Sequence, residues 1–200
     1  NWVLDTSREY ESILEESKNP GLYSVLILGE GGIGKSRFIK EIKTNFIKDK
    51  WIIGSSSSEM SFSKEQSSSS EPFSIISDAF GPALGIANLA ERQSLLDSTS
   101  KTFSGLEASL AEFPGVGLLF DMTENDDPVV SKDQLIQDVI LAVKKKSKEH
   151  KLVFFLDDLQ WVDDSSLDLL KKLISHFKEN SDDLRNPVVV LLSSRNNDKM

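Results

Sequence analysis

The fold is decided by Tyr23-Ser24-Val25-Leu26-Ile27-Leu28 running straight into Gly29-Glu30-Gly31-Gly32-Ile33-Gly34-Lys35-Ser36. The first six residues are nearly all apolar and read as a short strand buried on both faces, as in a parallel sheet covered by helices. The next eight fit the pattern G-x-x-x-x-G-K-[ST]. Beyond them Phe38, Ile39, Ile42, Phe46 and Ile47 recur at helical spacing among lysines and glutamates, which predicts an amphipathic helix. Strand, glycine-rich loop and helix in that order are the context in which this pattern cradles phosphate. The glycines let the backbone turn several N–H groups inward, and the helix starting near Lys35 adds the positive end of its dipole. Lys35 brings a point charge for the β- and γ-phosphates, and Ser36 a hydroxyl for Mg²⁺. Gly29, Glu30, Gly31, Gly32, Ile33, Gly34, Lys35 and Ser36 are therefore the expected nucleotide contacts. Arg37 borders them and is counted with these nucleotide-binding residues, although its side chain is expected at the helix surface.

Working outward, the stretch up to Pro20 holds a short helix, Arg8–Ser17, closed by the turn Asn19-Pro20-Gly21. Trp51-Ile52-Ile53-Gly54 predicts a second strand. Residues 55–70 are serine-rich, with Ser55–Ser58, Ser61, Ser63 and Ser67–Ser70, and predict a surface loop. From Glu71 the pattern is helical: Phe73, Ile76, Ala79, Phe80 and Leu84, then Leu89–Leu96, then Phe103–Leu110. Residues 111–130 predict an irregular connection. Ser131 and Gln134 match a capping box before a helix whose apolar face is Leu135, Ile136, Val139, Ile140 and Val143. Leu152–Leu156 is a wholly apolar strand ending in Asp157-Asp158. Asp163 or Asp164 can cap the following helix, which carries Leu167, Leu170, Leu173, Ile174 and Phe177. Pro187–Leu192 is the last strand, followed by Ser193-Ser194-Arg195.

Strands alternating with helices predict an α/β fold: three layers, a mostly parallel central sheet and helices on both faces. Ligands in such sheets bind beyond the carboxyl ends of the strands. Gly29–Ser36, Asp157-Asp158 and Ser193–Arg195 all fall at such ends. Two adjacent carboxylates closing an apolar strand repel each other unless a cation sits nearby. Asp157 is therefore the expected Mg²⁺ partner of Ser36, and Asp158 is expected to orient or deprotonate an attacking water. Gln160 reads equally as a γ-phosphate sensor or a turn residue, and Trp161 as packing rather than adenine stacking.

Composition narrows the field further. The net charge is −9, which opposes non-specific contact with nucleic acid through this segment. The run Lys144-Lys145-Lys146 reads as the solvated end of a helix, where lysines suit the dipole. With no cysteine and two histidines, a disulfide scaffold or a structural zinc site is not expected. No signal sequence or membrane-spanning run is visible, so a cytoplasmic protein without membrane partners is expected. The chain does not begin with Met, and it reads as part of a longer polypeptide.

The Gly29–Arg37 loop, Phe154-Phe155-Leu156-Asp157-Asp158-Leu159-Gln160-Trp161-Val162-Asp163 and Ser166-Leu167-Asp168-Leu169-Leu170 together resemble the STAND ATPases, signalling NTPases related to AAA+ proteins. Arg8-Glu9 resembles the lead-in to that module, and Glu71-Pro72-Phe73 the segment after its second strand. The resemblance implies residues 1–20 as an N-terminal lead-in and 21–200 as a P-loop core with a helical insert at about 71–147. It further implies an ASCE-type P-loop fold, ATP as nucleotide, and a slow ATPase serving as a switch whose active state is often oligomeric. Val188–Leu192 resembles the sensor strand, which implies that Arg195 faces the nucleotide and joins Lys35 and Asp158 in catalysis. Many relatives carry glutamate where this chain has Asp158. Two further functions compete with the switch: a nucleotide-binding scaffold without significant turnover, and an AAA+-like ATPase associated with DNA. A small-molecule kinase would need an arginine-bearing lid, and arginines are sparse here.

Overall fold

A computed structural model describes residues 6–56, 74–84 and 132–195. Helix α1 (Thr6–Glu16) leads into β1 (Gly21–Leu28), the glycine loop and α2 (Lys35–Lys48), then β2 (Ile52–Ser56). Next come α3 (Ser74–Leu84), α4 (Lys132–Lys146), β3 (Leu152–Leu156), α5 (Asp164–Glu179) and β4 (Pro187–Ser194). The four strands form one parallel sheet in the order β1-β4-β3-β2. The last strand is thus inserted between the first and the third, and that insertion assembles the site described below.

The sheet separates two apolar layers by simple alternation, since successive side chains point to opposite faces. On one face Leu152, Phe154, Leu156, Val188 and Val190 pack with Ile76, Phe80, Val139, Leu173 and Phe177 of α3, α4 and α5. On the other, Val153, Phe155, Val189 and Leu191 pack with Ile39, Ile42 and Phe46 of α2 and Tyr10 and Ile13 of α1. The fold is the three-layer α/β sandwich with a parallel sheet expected of a P-loop NTPase. Phe46 anchors the second layer, its ring edge-on to Tyr10 at 4.8 Å, Trp51 at 5.0 Å and Phe155 at 5.9 Å. In the first layer Phe80 stacks on Phe154 at 4.0 Å. Gly54 makes that close approach feasible, because a Cβ there would lie 1.8 Å from the Ala79 carbonyl oxygen of α3.

Several expectations are corrected. β1 is not buried on both faces: it stands at the end of the sheet among the described residues, and Leu26 and Leu28 are about half exposed. Ser55 and Ser56, expected in the serine-rich loop, belong to β2 and pair with Phe155 and Leu156. The ladder to β3 overrides their weak strand preference. Ile47 is exposed, whereas Phe38, Ile39, Ile42 and Phe46 are buried as expected, because the helical period carries residue 47 off the buried stripe. In α5 the fully buried residues include Leu169, absent from the predicted face, while Leu167 and Ile174 are only partly covered. The α4 face is buried as predicted. Asp163 is the N-cap of α5, accepting from the Ser166 amide at 2.8 Å and the Ser166 hydroxyl at 2.6 Å. Lys144, in the basic last turn of α4, pairs with Asp183 at 2.5 Å. The residues at 85–131, including Ser131 of the predicted capping box, and most of the serine-rich stretch lie outside the described residues.

Candidate nucleotide site

The glycine loop is built from backbone. Gly32 and Gly34 have φ of 79° and 100°, and a Cβ at either would meet nothing within 4 Å. The demand for glycine there is conformational rather than spatial. Gly34 in this left-handed conformation precedes the first turn of α2 with no side-chain cap, and the first amides of a helix have no intrahelical partner and can serve an anion. Lys35 is buried although charged, and its ammonium donates to the carbonyls of Gly29 at 2.7 Å and Glu30 at 2.9 Å. These contacts hold the cation against the loop it is expected to serve. Ser36 is exposed in the same first turn, and its hydroxyl makes no side-chain hydrogen bond among the described residues. Arg37 points away along α2 to Glu41, 3.0 Å from Nε. That contact, with one from Thr6, holds the Glu41 carboxyl below its usual range.

The acid corner is built from side chains. Asp157 and Asp158 leave β3 at the level of Ser193 in the neighbouring β4. The Ser193 hydroxyl, fully buried, donates to Asp157 Oδ1 and accepts from the Asp158 amide at 3.1 Å. Asp158 has φ 60° and ψ 49°, a left-handed conformation that few residues other than glycine adopt and aspartate tolerates better than most. A short 3-10 turn, Leu159–Trp161, follows. It packs Leu159 onto the core and turns Trp161 outward, 57% exposed. The expected packing role of Trp161 is thereby corrected: a three-residue turn cannot bury both apolar side chains on one side.

One strand joins loop and corner. The Gly29 amide donates to the Ser194 carbonyl at 3.4 Å, while the adjacent Ser193 holds both aspartates. With one strand between β1 and β3, their ends lie roughly 10 Å apart at the usual spacing of parallel strands. Arg195 follows directly: its guanidinium carbon is 3.9 Å from where a Cβ on Gly31 would lie, so its charge sits against the loop. Its amide donates to Gln160 Oε1 at 3.1 Å, and Gln160 Nε2 donates to Asp158 Oδ1 at 2.8 Å. Sequence reasoning placed Ser193 at a strand end but assigned it no role. The available signal was a polar residue continuing a wholly apolar strand.

The donors fit a hard cation. Ser36 offers a hydroxyl and Asp157 a carboxylate whose second oxygen makes no hydrogen bond among the described residues. Oxygen-only ligands, few in number, suit Mg²⁺, which keeps several waters and binds phosphate oxygens. The site is an open rim of amides and acids at the strand ends. A separate concavity of about 370 Å³ between α4 and α5, bordered by Ile136, Ile140, Lys172 and His176, is remote from this chemistry.

A family model for the AAA ATPase domain matches residues 8–191. The chain belongs to the AAA ATPase domain family. The match runs from within α1 through most of β4, and so includes the glycine loop and the twin acids but stops short of Ser193–Arg195. No curated protein matches the chain. As an AAA ATPase domain it falls in the nucleotide-binding ATPases, a class that binds ATP and typically uses Mg²⁺. Among the described residues no helix is long and apolar enough to cross a membrane.

Proposed function

We propose that this AAA ATPase domain is a STAND-type regulatory switch that binds ATP with Mg²⁺ and hydrolyses it slowly. The observation that carries the reading is the insertion of β4, which ties the loop through Gly29 and the twin acids through Ser193. Phosphoryl transfer to water needs positioning and charge neutralisation more than covalent chemistry. Lys35 moves its ammonium from the Gly29 and Glu30 carbonyls to the β- and γ-phosphates, while the loop amides hold the phosphate chain. Arg195, beside Gly31, adds a second positive charge against the loop. Asp158 orients the attacking water and accepts its proton. Mg²⁺, held by Ser36 and through water by Asp157, would neutralise charge on the β- and γ-oxygens. Slow turnover suits a switch, in which the lifetime of the triphosphate state is the signal. Further domains of a longer polypeptide and an oligomeric active state are the proposed partners.

A second reading, a module that holds nucleotide without turning it over, is favoured by the short Asp158 side chain, one methylene shorter than glutamate. Single-turnover measurement with labelled ATP separates the two. The switch releases labelled phosphate slowly, Lys35→Ala abolishes triphosphate binding, and Asp157→Asn abolishes Mg²⁺-dependent release. ATP recovered uncleaved after prolonged binding favours the holding module, and unaltered behaviour in both variants overturns the site.

A further inference from the structure

The amide of Gln160 bridges two parts of the acid corner that are far apart in sequence. Nε2 donates to Asp158 Oδ1 at 2.8 Å, and Oε1 accepts from the Arg195 amide at 3.1 Å and from the Ser194 hydroxyl at 3.5 Å. The direction of the amide is fixed by chemistry. A backbone N–H can only donate and an ionised carboxylate can only accept, so oxygen must face Arg195 and nitrogen must face Asp158. The turn that carries Gln160 is closed independently by backbone bonds from the Trp161 amide to the Asp158 carbonyl at 3.0 Å and from Val162 to Leu159 at 3.1 Å. The side chain is therefore not needed to form the turn.

We propose that Gln160 is a positioning residue for hydrolysis: it fixes the Asp158 carboxylate against the end of β4. The inference rests on the reading of the acid corner as the site of ATP turnover. Asp158 stands in a left-handed backbone conformation, where its carboxylate direction depends on what holds the side chain. Because Gln160 grips the Arg195 amide with its other end, any shift of Arg195 when nucleotide arrives moves the Asp158 carboxylate as well. The bridge links the residue beside Gly31 to the general base.

Two variants separate the positioning role from a structural one. Gln160→Met keeps length and loses all three hydrogen bonds. Gln160→Glu keeps an acceptor for the Arg195 amide but replaces the donor to Asp158 with a like charge. Steady-state ATP hydrolysis and direct ATP binding are measured for both, beside wild type and Lys35→Ala. Positioning alone contributes a fraction of what a general base supplies, so kcat should fall about tenfold in Gln160→Met and at least as far in Gln160→Glu. KM and ATP affinity should stay within about twofold, because ground-state binding is untouched. A Gln160→Glu enzyme as fast as wild type, an unchanged kcat in Gln160→Met, or a rise in KM alone would each overturn the assignment. Should Lys35→Ala lose binding while both Gln160 variants match wild type, only the Gln160 inference falls. A wild type that neither binds nor hydrolyses ATP overturns the underlying reading and this inference with it.

Discussion

The two halves of the candidate site are made by different means. The phosphate loop is local: eight consecutive residues, shaped by glycines at positive φ and closed by Lys35 on its own carbonyls. The acid corner is assembled across the sheet, with Ser193 and Arg195 of one strand end reaching Asp157, Asp158 and Gln160 some 35 residues earlier. One half should fail when backbone freedom is removed, and the other when side-chain hydrogen bonds are removed.

The largest expected effect breaks the loop. Gly34→Val forces a β-branched residue into φ of 100° where no neighbour crowds a Cβ, so binding should suffer much more than folding. We expect triphosphate affinity to fall by about a hundredfold or more while thermal stability drops by only ~1–2 kcal/mol. Titration calorimetry beside a melt checks both, and equal losses would show that the glycine serves the fold. Next in size is Gly54→Ala, which places a methyl group against the Ala79 carbonyl and Phe154. It should cost about 2–3 kcal/mol in denaturant unfolding and disturb the strand that supports the acid corner.

Ser193→Ala sharpens the contrast from the other side. Loss of the hydroxyl that holds both aspartates should lower kcat about tenfold, with KM for ATP changed by less than about threefold. A rise in KM without a fall in kcat would place Ser193 in nucleotide binding instead. The smallest effect lies outside both halves. Lys144, then His176, hold the Asp183 carboxyl below its usual range. A depressed carboxylate pKa adds stability above the unfolded value, near ~3.9, and that stability is lost as pH falls through the lower folded value. Asp183→Asn should therefore lower the melting temperature at pH 7 and converge with wild type below about pH 3, and the drop should be slight because the pair is partly exposed and screened. ATP turnover should not change.

The same contrast explains what was legible in the sequence. The loop could be read residue by residue because its geometry is dictated by neighbours in the chain. Leu152–Leu156 and the α4 face could also be read, since apolar periodicity reports burial directly. The exposure of Leu26 and Leu28 could not. Tyr23–Leu28 looks as apolar as a strand buried on both faces, and only packing in space decides which faces are covered. Ser193 and Gln160 were obscure for a related reason. A serine and a glutamine gain meaning only from the partners that β4 insertion supplies, and Trp161 looked like packing until the turn direction was known.

The central claim is that loop and acids serve one hydrated Mg²⁺–triphosphate. The most direct measurement is ATP affinity by titration calorimetry with Mg²⁺ and with chelator, for wild type and Asp157→Asn. Wild type should bind ATP more tightly with Mg²⁺, and Asp157→Asn should lose most of that difference while keeping its affinity in chelator. A Mg²⁺ enhancement of equal size in both proteins would mean that the acids and the loop do not share a cation, and would contradict the account.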